Sequence, residues 1–304
     1  MGGVPKGGSM FTKFLSDEEM GLLDFVMKKL DGISRTKAKA ILSNGGVMVD
    51  QNVVTQFDFT VKPDMVVEIS KHRPLVSNTD GNNRSGSRVF FTIVYEDDDV
   101  IVVDKSDEVL SMAVGRNSLN MKSLLDDYFV ETHQRCRAHV VHRLDVRTSG
   151  LMVYAKNFEA QQILMDNWHE IVTDRRYVAV VSPPMEKSAG HIESWLSDTP
   201  SHKVVSSRYD NGGKWASTDW ELIRSVGDYS LITLKLHTGR KNQIRVHMQV
   251  IGHPIVGDYK YGSEDDDARR LCLHAFRLSF YHPITGEHLF FETPFPAYFT
   301  SLVR

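Results

Sequence analysis

From Ser77 to Arg88 the chain reads Ser-Asn-Thr-Asp-Gly-Asn-Asn-Arg-Ser-Gly-Ser-Arg, without one large apolar residue. A stretch like this has nothing to bury, so it cannot run through a core. It constrains the fold more than any other feature, because it divides the chain into two parts that must each build a core. The length of 304 residues agrees with about two domains. The expected organisation is a flexible tail over 1–13, a small domain over 14–75, a linker over 76–89 and a larger domain over 90–304. Hydrophobic residues make up 41% and charged residues 25%, which supports two ordinary cores and excludes wholesale disorder.

The same arithmetic narrows the function classes. No apolar run is long enough for a membrane span, and the N-terminal MGGVPKGGSM has no apolar signal core, so the expectation is a cytoplasmic chain away from membranes. Two cysteines, Cys136 and Cys272, are too few for a disulfide framework. The formal charge of −3 does not advertise nucleic-acid binding, but local basic patches decide that question.

In the first part, Leu22, Leu23, Val26, Met27 and Leu30 fall on one helical face. Asp31-Gly32 stops that helix, and Ser34 is placed to cap a second over Arg35 to Leu42. Short strands follow at Val47–Val49 and Val66–Ile69. Lys28, Lys29, Arg35, Lys37 and Lys39 crowd these helices. They read either as a solvated face or as a surface for phosphates. The order Ser34-Arg35-x-Lys37-Ala38, Ile41, Gly45, Val47-x-Val49 resembles the S4 RNA-binding domain.

The second part alternates strands and a few helices. Hairpins are expected for Phe91–Tyr95 with Val100–Val103, for Trp220–Ile223 with Tyr229–Leu236, and for Leu278–Tyr281 with His288–Phe291. Further strands are expected at Leu151–Ala155 and Tyr177–Val181. Helices are expected over Ser123–Phe129, over Phe158–Trp168 with Asn157 as cap, and over Gln243–Val250. Strands joined mostly by hairpins predict an α+β domain with a mixed or antiparallel sheet.

Three segments carry groups capable of chemistry. In His139-Val-Val-His142-Arg143-Leu144-Asp145-Val-Arg147-Thr148-Ser149-Gly150, Asp145 stands among Arg143, Arg147 and His142. A carboxylate beside guanidinium groups stays ionised, which suits a nucleophile or general base. A structural Arg–Asp pair explains the same residues. In Leu236-His237-Thr238-Gly239-Arg240-Lys241-Asn242-Gln243-Ile244-Arg245-Val246-His247, a strand turns into a helix N-terminus with cations around it. That is a natural phosphate site, while a plain basic turn is equally consistent. Arg245 has a further option, reaching inward to pair with Asp145. Tyr177, after Arg175-Arg176, is either core with a satisfied hydroxyl or a platform on which a base stacks.

Taken in order, these segments resemble the RluA-type pseudouridine synthase family. The match runs through Val141-His142-Arg143-Leu144-Asp145-x-x-Thr148-Ser149-Gly150-Leu151, Tyr177, and Thr238-Gly239-Arg240-x-x-Gln243-Ile244-Arg245-x-His247. It continues in Gly252-His253-Pro254-Ile255-Val256-Gly257-Asp258, Leu273-His274-Ala275 and His282-Pro283-x-Thr285-Gly286, so it spans about residues 90–298. It departs after Asp104-Lys105, where Ser106-Asp107-Glu108 replaces the usual Pro and Gly.

The resemblance implies isomerisation of uridine to pseudouridine in RNA, without cofactor or metal. Asp145 would be the catalytic carboxylate, acting on the ribose, on the base, or as a base at the sugar. Tyr177 would pack on the uracil and help with the C5 proton, and Arg245 would hold Asp145 ionised. Arg143 would fill the gap left by a flipped nucleotide. Arg147, Arg240, Lys241, Arg35 and Lys37 would contact the RNA. The expected partner is RNA, with large-subunit ribosomal RNA ahead of transfer RNA because of the S4-like domain. A non-catalytic RNA-binding protein is the competing class, and intact Asp145, Tyr177 and Arg245 weigh against it. The spacing His133-x-x-Cys136-x-x-His139-x-x-His142 hints at a metal site only weakly, because His142 belongs to the motif above.

Overall fold

The computed structural model of the chain describes residues 11–30, 32–43, 46–50, 52–54, 56–70, 90–113, 119–262 and 268–304. The expected linker, 76–89, lies outside the described residues.

The N-terminal unit follows from its helical periodicity. Leu22–Lys29 and Arg35–Ser43 are helices, and Leu30 caps the first. Leu22, Leu23, Phe25 and Val26 of one and Ala38 and Leu42 of the other meet Val47, Val49, Val67 and Ile69 of a sheet. That sheet runs in the order Phe11–Leu15, Val66–Ser70, Val47–Val49, Asn52–Val53. The first strand corrects one expectation. Residues 11–13 belong to it and not to a tail. Phe11 to Leu15 pair antiparallel with Ser70 to Val66, and Lys13 Nζ lies 3.1 Å from Glu68 Oε1. The Gly/Ser character of the preceding residues had hidden the strand-like Phe-Thr-Lys-Phe-Leu.

The larger unit is built on an 11-stranded sheet. Its order is Val204–Ser207, Ala189–Asp198, Lys214–Val226, Tyr229–Leu236, Val172–Val181, Leu273–Tyr281, Ser149–Ala155, Val100–Lys105, Phe91–Glu96. His288–Glu292 pairs beside Leu273–Tyr281, and His139–Val140 beside Ser149–Ala155. Among the described strand pairs of this sheet, only Ser149–Ala155 with Leu273–Tyr281 is parallel. The α+β class with a mixed, mostly antiparallel sheet is therefore as expected.

Alternation explains why the middle of this sheet is buried on both faces. Ile101, Val103, Met152 and Tyr154 face the helix Met121–Glu131 through Leu124, Leu125, Tyr128 and Phe129. Val100, Val102, Leu151 and Val153 point the other way, onto Ala160 and Leu164 of the helix Phe158–Asp166. Asn157 caps that helix, its Oδ1 accepting from Ala160 N at 2.8 Å. The helix expected to continue to Trp168 breaks at Asn167, and a short helix Trp168–Ile171 follows. No helix among the described residues is long and apolar enough to cross a membrane.

The single parallel pairing has a backbone cause. Gly150 adopts φ 119°, and a Cβ there would stand 2.3 Å from the Ala275 carbonyl oxygen. Only glycine permits that approach, which joins the end of the Asp145 loop to the central strand.

Candidate active site

The Asp145 loop is held from behind. Leu144 N–H donates to Ser111 Oγ at 3.0 Å, and that hydroxyl donates back to Leu144 O at 2.7 Å. Thr148 N–H closes the turn on Asp145 O at 3.0 Å. Lys105, fully buried, donates to the carbonyls of Ser106, Val109 and Val146 at 2.8, 2.9 and 3.2 Å. Burial pushes Lys105 down to about 7, with Arg270 adding and Asp107, Asp145 and Asp104 opposing. Three carbonyl acceptors match the three N–H bonds of an ammonium, so this environment also supports the charged form.

Asp145 is partly buried, and Arg245 approaches it from the helix Gln243–Val250, Nη1 to Oδ2 at 3.4 Å. The pairing considered from the sequence is therefore present, but it is the weaker of two. Arg245 Nε and Nη2 donate to Asp258 Oδ2 and Oδ1, both at 2.7 Å, a bidentate pair with a fully buried carboxylate. Asp258 Oδ1 also accepts from Lys260 N and Tyr261 N at 3.1 Å. Arg245 Nη1 reaches Asn242 Oδ1 at 3.2 Å, and the guanidinium lies 5.1 Å from the Tyr261 ring centre. Burial opposes the arginine's charge, but hydrogen bonding and attraction to Asp258, with Asp145 adding, outweigh it and raise its pKa. A bidentate fork of this kind fixes the guanidinium plane as well as its charge. Asp258 closes the motif Gly252-His253-Pro254-Ile255-Val256-Gly257-Asp258, but no spacing signal joins it to Arg245.

Tyr177 enters from the strand Val172–Val181, next to an irregularity of pairing between Arg176 and Tyr177. It is buried, and burial raises its phenol above the ordinary value, with Arg175 opposing and Asp145 adding. The phenol is therefore neutral near pH 7. Tyr177, Asp145 and Arg245 line one cavity of about 400 Å³ together with Arg143, Trp168 and Arg175. That volume lies within the usual range of small-ligand pockets, about 300–1,000 Å³.

The cations divide. Arg143 is exposed at this cavity, and Arg240 and Lys241 reach it from the loop before the helix. Arg240 Nε donates to Trp215 O at 2.9 Å, and Lys241 pairs with Asp198. The Arg240 backbone N–H is already bonded to Gln243 Oε1 at 2.9 Å, so this loop offers side-chain charge more than free amides. Arg147 is half-buried, donates to Gly257 O at 2.9 Å and lies 4.8 Å from the ring centre of exposed Tyr259. His142 lines the cavity beside Asp145, but its Nε2 accepts from Val153 N at 3.0 Å, and burial, with Arg175 adding, lowers it to about 3. It is a neutral structural acceptor. In the N-terminal unit, Arg35 is exposed and 3.4 Å from Asp24, while the side chain of Lys37 lies outside the described residues.

The weak metal spacing does not assemble. His139 Nδ1 contacts Gln161 Oε1 at 3.1 Å, Cys136 Sγ contacts Gln134, and His142 is bonded to backbone.

With this geometry in place, known proteins can be set beside it. The family described as RNA pseudouridylate synthase matches residues 99–250. "Ribosomal large subunit pseudouridine synthase D" of Pasteurella multocida is 32% identical over 286 residues, 89% of this chain and 86% of that protein. The chain belongs to the RNA pseudouridylate synthase family. "Uncharacterized RNA pseudouridine synthase YjbO" of Bacillus subtilis is 34% identical over 213 residues, covering 70% of this chain and 75% of that one. Among solved structures, "Human RNA Pseudouridylate Synthase Domain Containing 1" superposes with a TM-score of 0.56 at 28% identity, over 67% of this chain and 83% of that chain. A pseudouridine synthase is an isomerase that acts on RNA, which agrees with the family resemblance read from the motifs.

Proposed function

We propose that this pseudouridine synthase modifies uridine in large-subunit ribosomal RNA, with Asp145 as the catalytic carboxylate acting on a nucleotide flipped into the cavity. The observation that carries the reading is the pairing geometry. Asp145 opens into the cavity while its guanidinium partner is locked by a second, fully buried carboxylate, Asp258. Arg245 then meets Asp145 through one contact at 3.4 Å, to Oδ2, which leaves the other carboxylate oxygen for substrate. In the isomerisation, the bond from N1 to C1′ breaks, a bond from C5 to C1′ forms, C5 loses its proton and N1 gains one. Tyr177, a neutral phenol, serves as a packing face and hydrogen-bond donor for the uracil and is not a resting base.

Arg143 stands at the cavity mouth, where it can occupy the space of the extruded nucleotide. Extrusion costs a few kcal/mol, which phosphate contacts must offset. Arg240 and Lys241 supply such contacts beside the cavity. The N-terminal helices, read as an S4-like unit with Arg35 exposed on its surface, supply them elsewhere on the RNA. The ribosomal assignment is supported by the name of the Pasteurella relative, which specifies the large subunit.

The test is tritium release from RNA labelled at uridine C5, prepared from cells lacking this activity and fractionated. Release from large-subunit ribosomal RNA is expected. Release from transfer RNA alone would overturn the substrate assignment, and binding without release from any fraction would favour the non-catalytic reading.

A further inference from the structure

A cluster that the proposed reaction does not use lies on the solvent face of the sheet. His191 on Ala189–Asp198 stands directly opposite Asp219 on Lys214–Val226. His237 follows the end of Tyr229–Leu236, its N–H bonded to Ser217 O at 3.2 Å. Strand pairing thus brings three side chains from three neighbouring strands to one spot. His191 Nδ1 meets Asp219 Oδ1 at 2.5 Å and His237 Nε2 meets Asp219 Oδ2 at 2.6 Å. All three ligand atoms lie within 4.8 Å of one another. The second nitrogen of His191 is also engaged, Nε2 to Glu193 Oε1 at 3.0 Å.

We propose that His191, Asp219 and His237 form a binding site for a divalent transition-metal ion of the zinc type. Two imidazoles and one carboxylate are a ligand set for zinc, cobalt, nickel or copper and not for magnesium or calcium, which take oxygen. Ligands about 2.0–2.1 Å from a tetrahedral zinc stand about 3.3 Å apart. The Asp219 oxygens must therefore retreat by less than 1 Å, which an exposed side chain allows. Glu193 plays the part of the outer carboxylate that orients a ligating imidazole. Apart from the two imidazoles, no described residue hydrogen-bonds to the Asp219 carboxylate.

The contrast is Asp97, beside Asp99 and His282. Its oxygens are already taken by Tyr95 Oη and the backbone N–H groups of Asp99 and Val100. The Asp97 carboxylate there is already committed to its turn, although His282 Nε2, buried and 3.0 Å from Asp97 Oδ2, makes no hydrogen bond among the described residues.

The remaining coordination position of the His191 site faces solvent. His237 also lines a cleft with Lys235, and that cleft shares Trp168, Arg175 and Leu236 with the main cavity. A bound cation would stand at the outer end of this cleft.

The test is titration of the full-length protein with Co(II), read by visible absorption, followed by displacement with Zn(II). One equivalent is expected to bind with the absorption of a nitrogen and oxygen ligand field. His191→Ala and His237→Ala should each weaken binding at least tenfold, and Glu193→Gln by about tenfold. His202→Asn, at an exposed histidine with φ 59° that Asn tolerates, should leave it unchanged. No Co(II) spectrum would overturn the proposal, as would equal affinity in the parent, His191→Ala and His237→Ala, or equal loss in His202→Asn.

Discussion

Asp258→Asn isolates the buried fork behind the site. Asp258 is fully buried and takes two 2.7 Å bonds from Arg245 and two 3.1 Å bonds from Lys260 N and Tyr261 N. Asparagine keeps the volume but removes the charge, and its amide nitrogen must face one of these donors. Breaking a buried ion pair by removing one partner costs about 3–5 kcal/mol, because the other charge stays in the interior. All four tryptophans, Trp168, Trp195, Trp215 and Trp220, lie in the larger unit, so tryptophan fluorescence reports its unfolding alone. With an m-value of about 3 kcal/mol/M, the urea midpoint should fall by about 1 to 1.7 M.

The same substitution should also reach the chemistry. Arg245 keeps only Asp145, at 3.4 Å, as a carboxylate partner and loses the fork that fixes its plane. About 1.4 kcal/mol of misplacement is tenfold in rate, so kcat for tritium release should drop at least tenfold while RNA affinity stays within about threefold. A urea midpoint within about 0.3 M of the parent, or an unchanged kcat, would refute the claim that Asp258 holds Arg245 for Asp145.

Other perturbations follow from the same packing. Gly150→Ala puts a Cβ 2.3 Å from Ala275 O, so the larger unit should lose about 3 kcal/mol or more, measured by the same fluorescence titration; a loss below about 1 kcal/mol would contradict the close approach. His247 and His274 are buried, and burial, with His191 and Arg270 respectively adding, lowers them to about 4 and about 3. Their folded values lie below the unfolded one, so the stability they carry is complete above about pH 6.5 and is lost as the pH falls toward those folded values. Between pH 6.5 and 5 each should cost about 1.6 kcal/mol, and His247→Gln should shrink the difference between the two urea midpoints; an undiminished difference would contradict this. Arg35→Ala combined with Lys37→Ala should lower the salt dependence of RNA binding by about two counterions, and an unchanged slope would remove the S4-like surface from the account.

The fold class was legible because the strands flanking tight turns carry strong alternation, as in Phe91–Glu96 with Val100–Lys105. The two strands at the far edge, Ala189–Asp198 and Val204–Ser207, were not legible. One face of the first is solvated and carries His191, Glu193 and Ser197, so its apolar residues are too sparse to announce a strand. The His191 cluster was missed for the same reason, since His191 meets Asp219 only through the pairing of the unforeseen strand Ala189–Asp198. At the site, Asp145, Tyr177 and Arg245 were found from their motifs and do share a cavity. The backbone partners of Arg147 and His142, Gly257 O and Val153 N, are distant in sequence and carry no signal in it. Asp258 and Lys105 act from behind the site through burial, and burial is a property of the assembled fold.

The claim that Asp145 performs the chemistry has a direct measurement. Parent and Asp145→Asn proteins are compared for tritium release from C5-labelled RNA under single-turnover conditions, with RNA binding measured in parallel. Loss of release in Asp145→Asn, with affinity within about threefold, is the predicted result, because the amide keeps the shape of the loop and removes only the carboxylate charge. Release at the parental rate would contradict the assignment, and loss of binding from a folded protein would mark Asp145 as a residue that orders RNA.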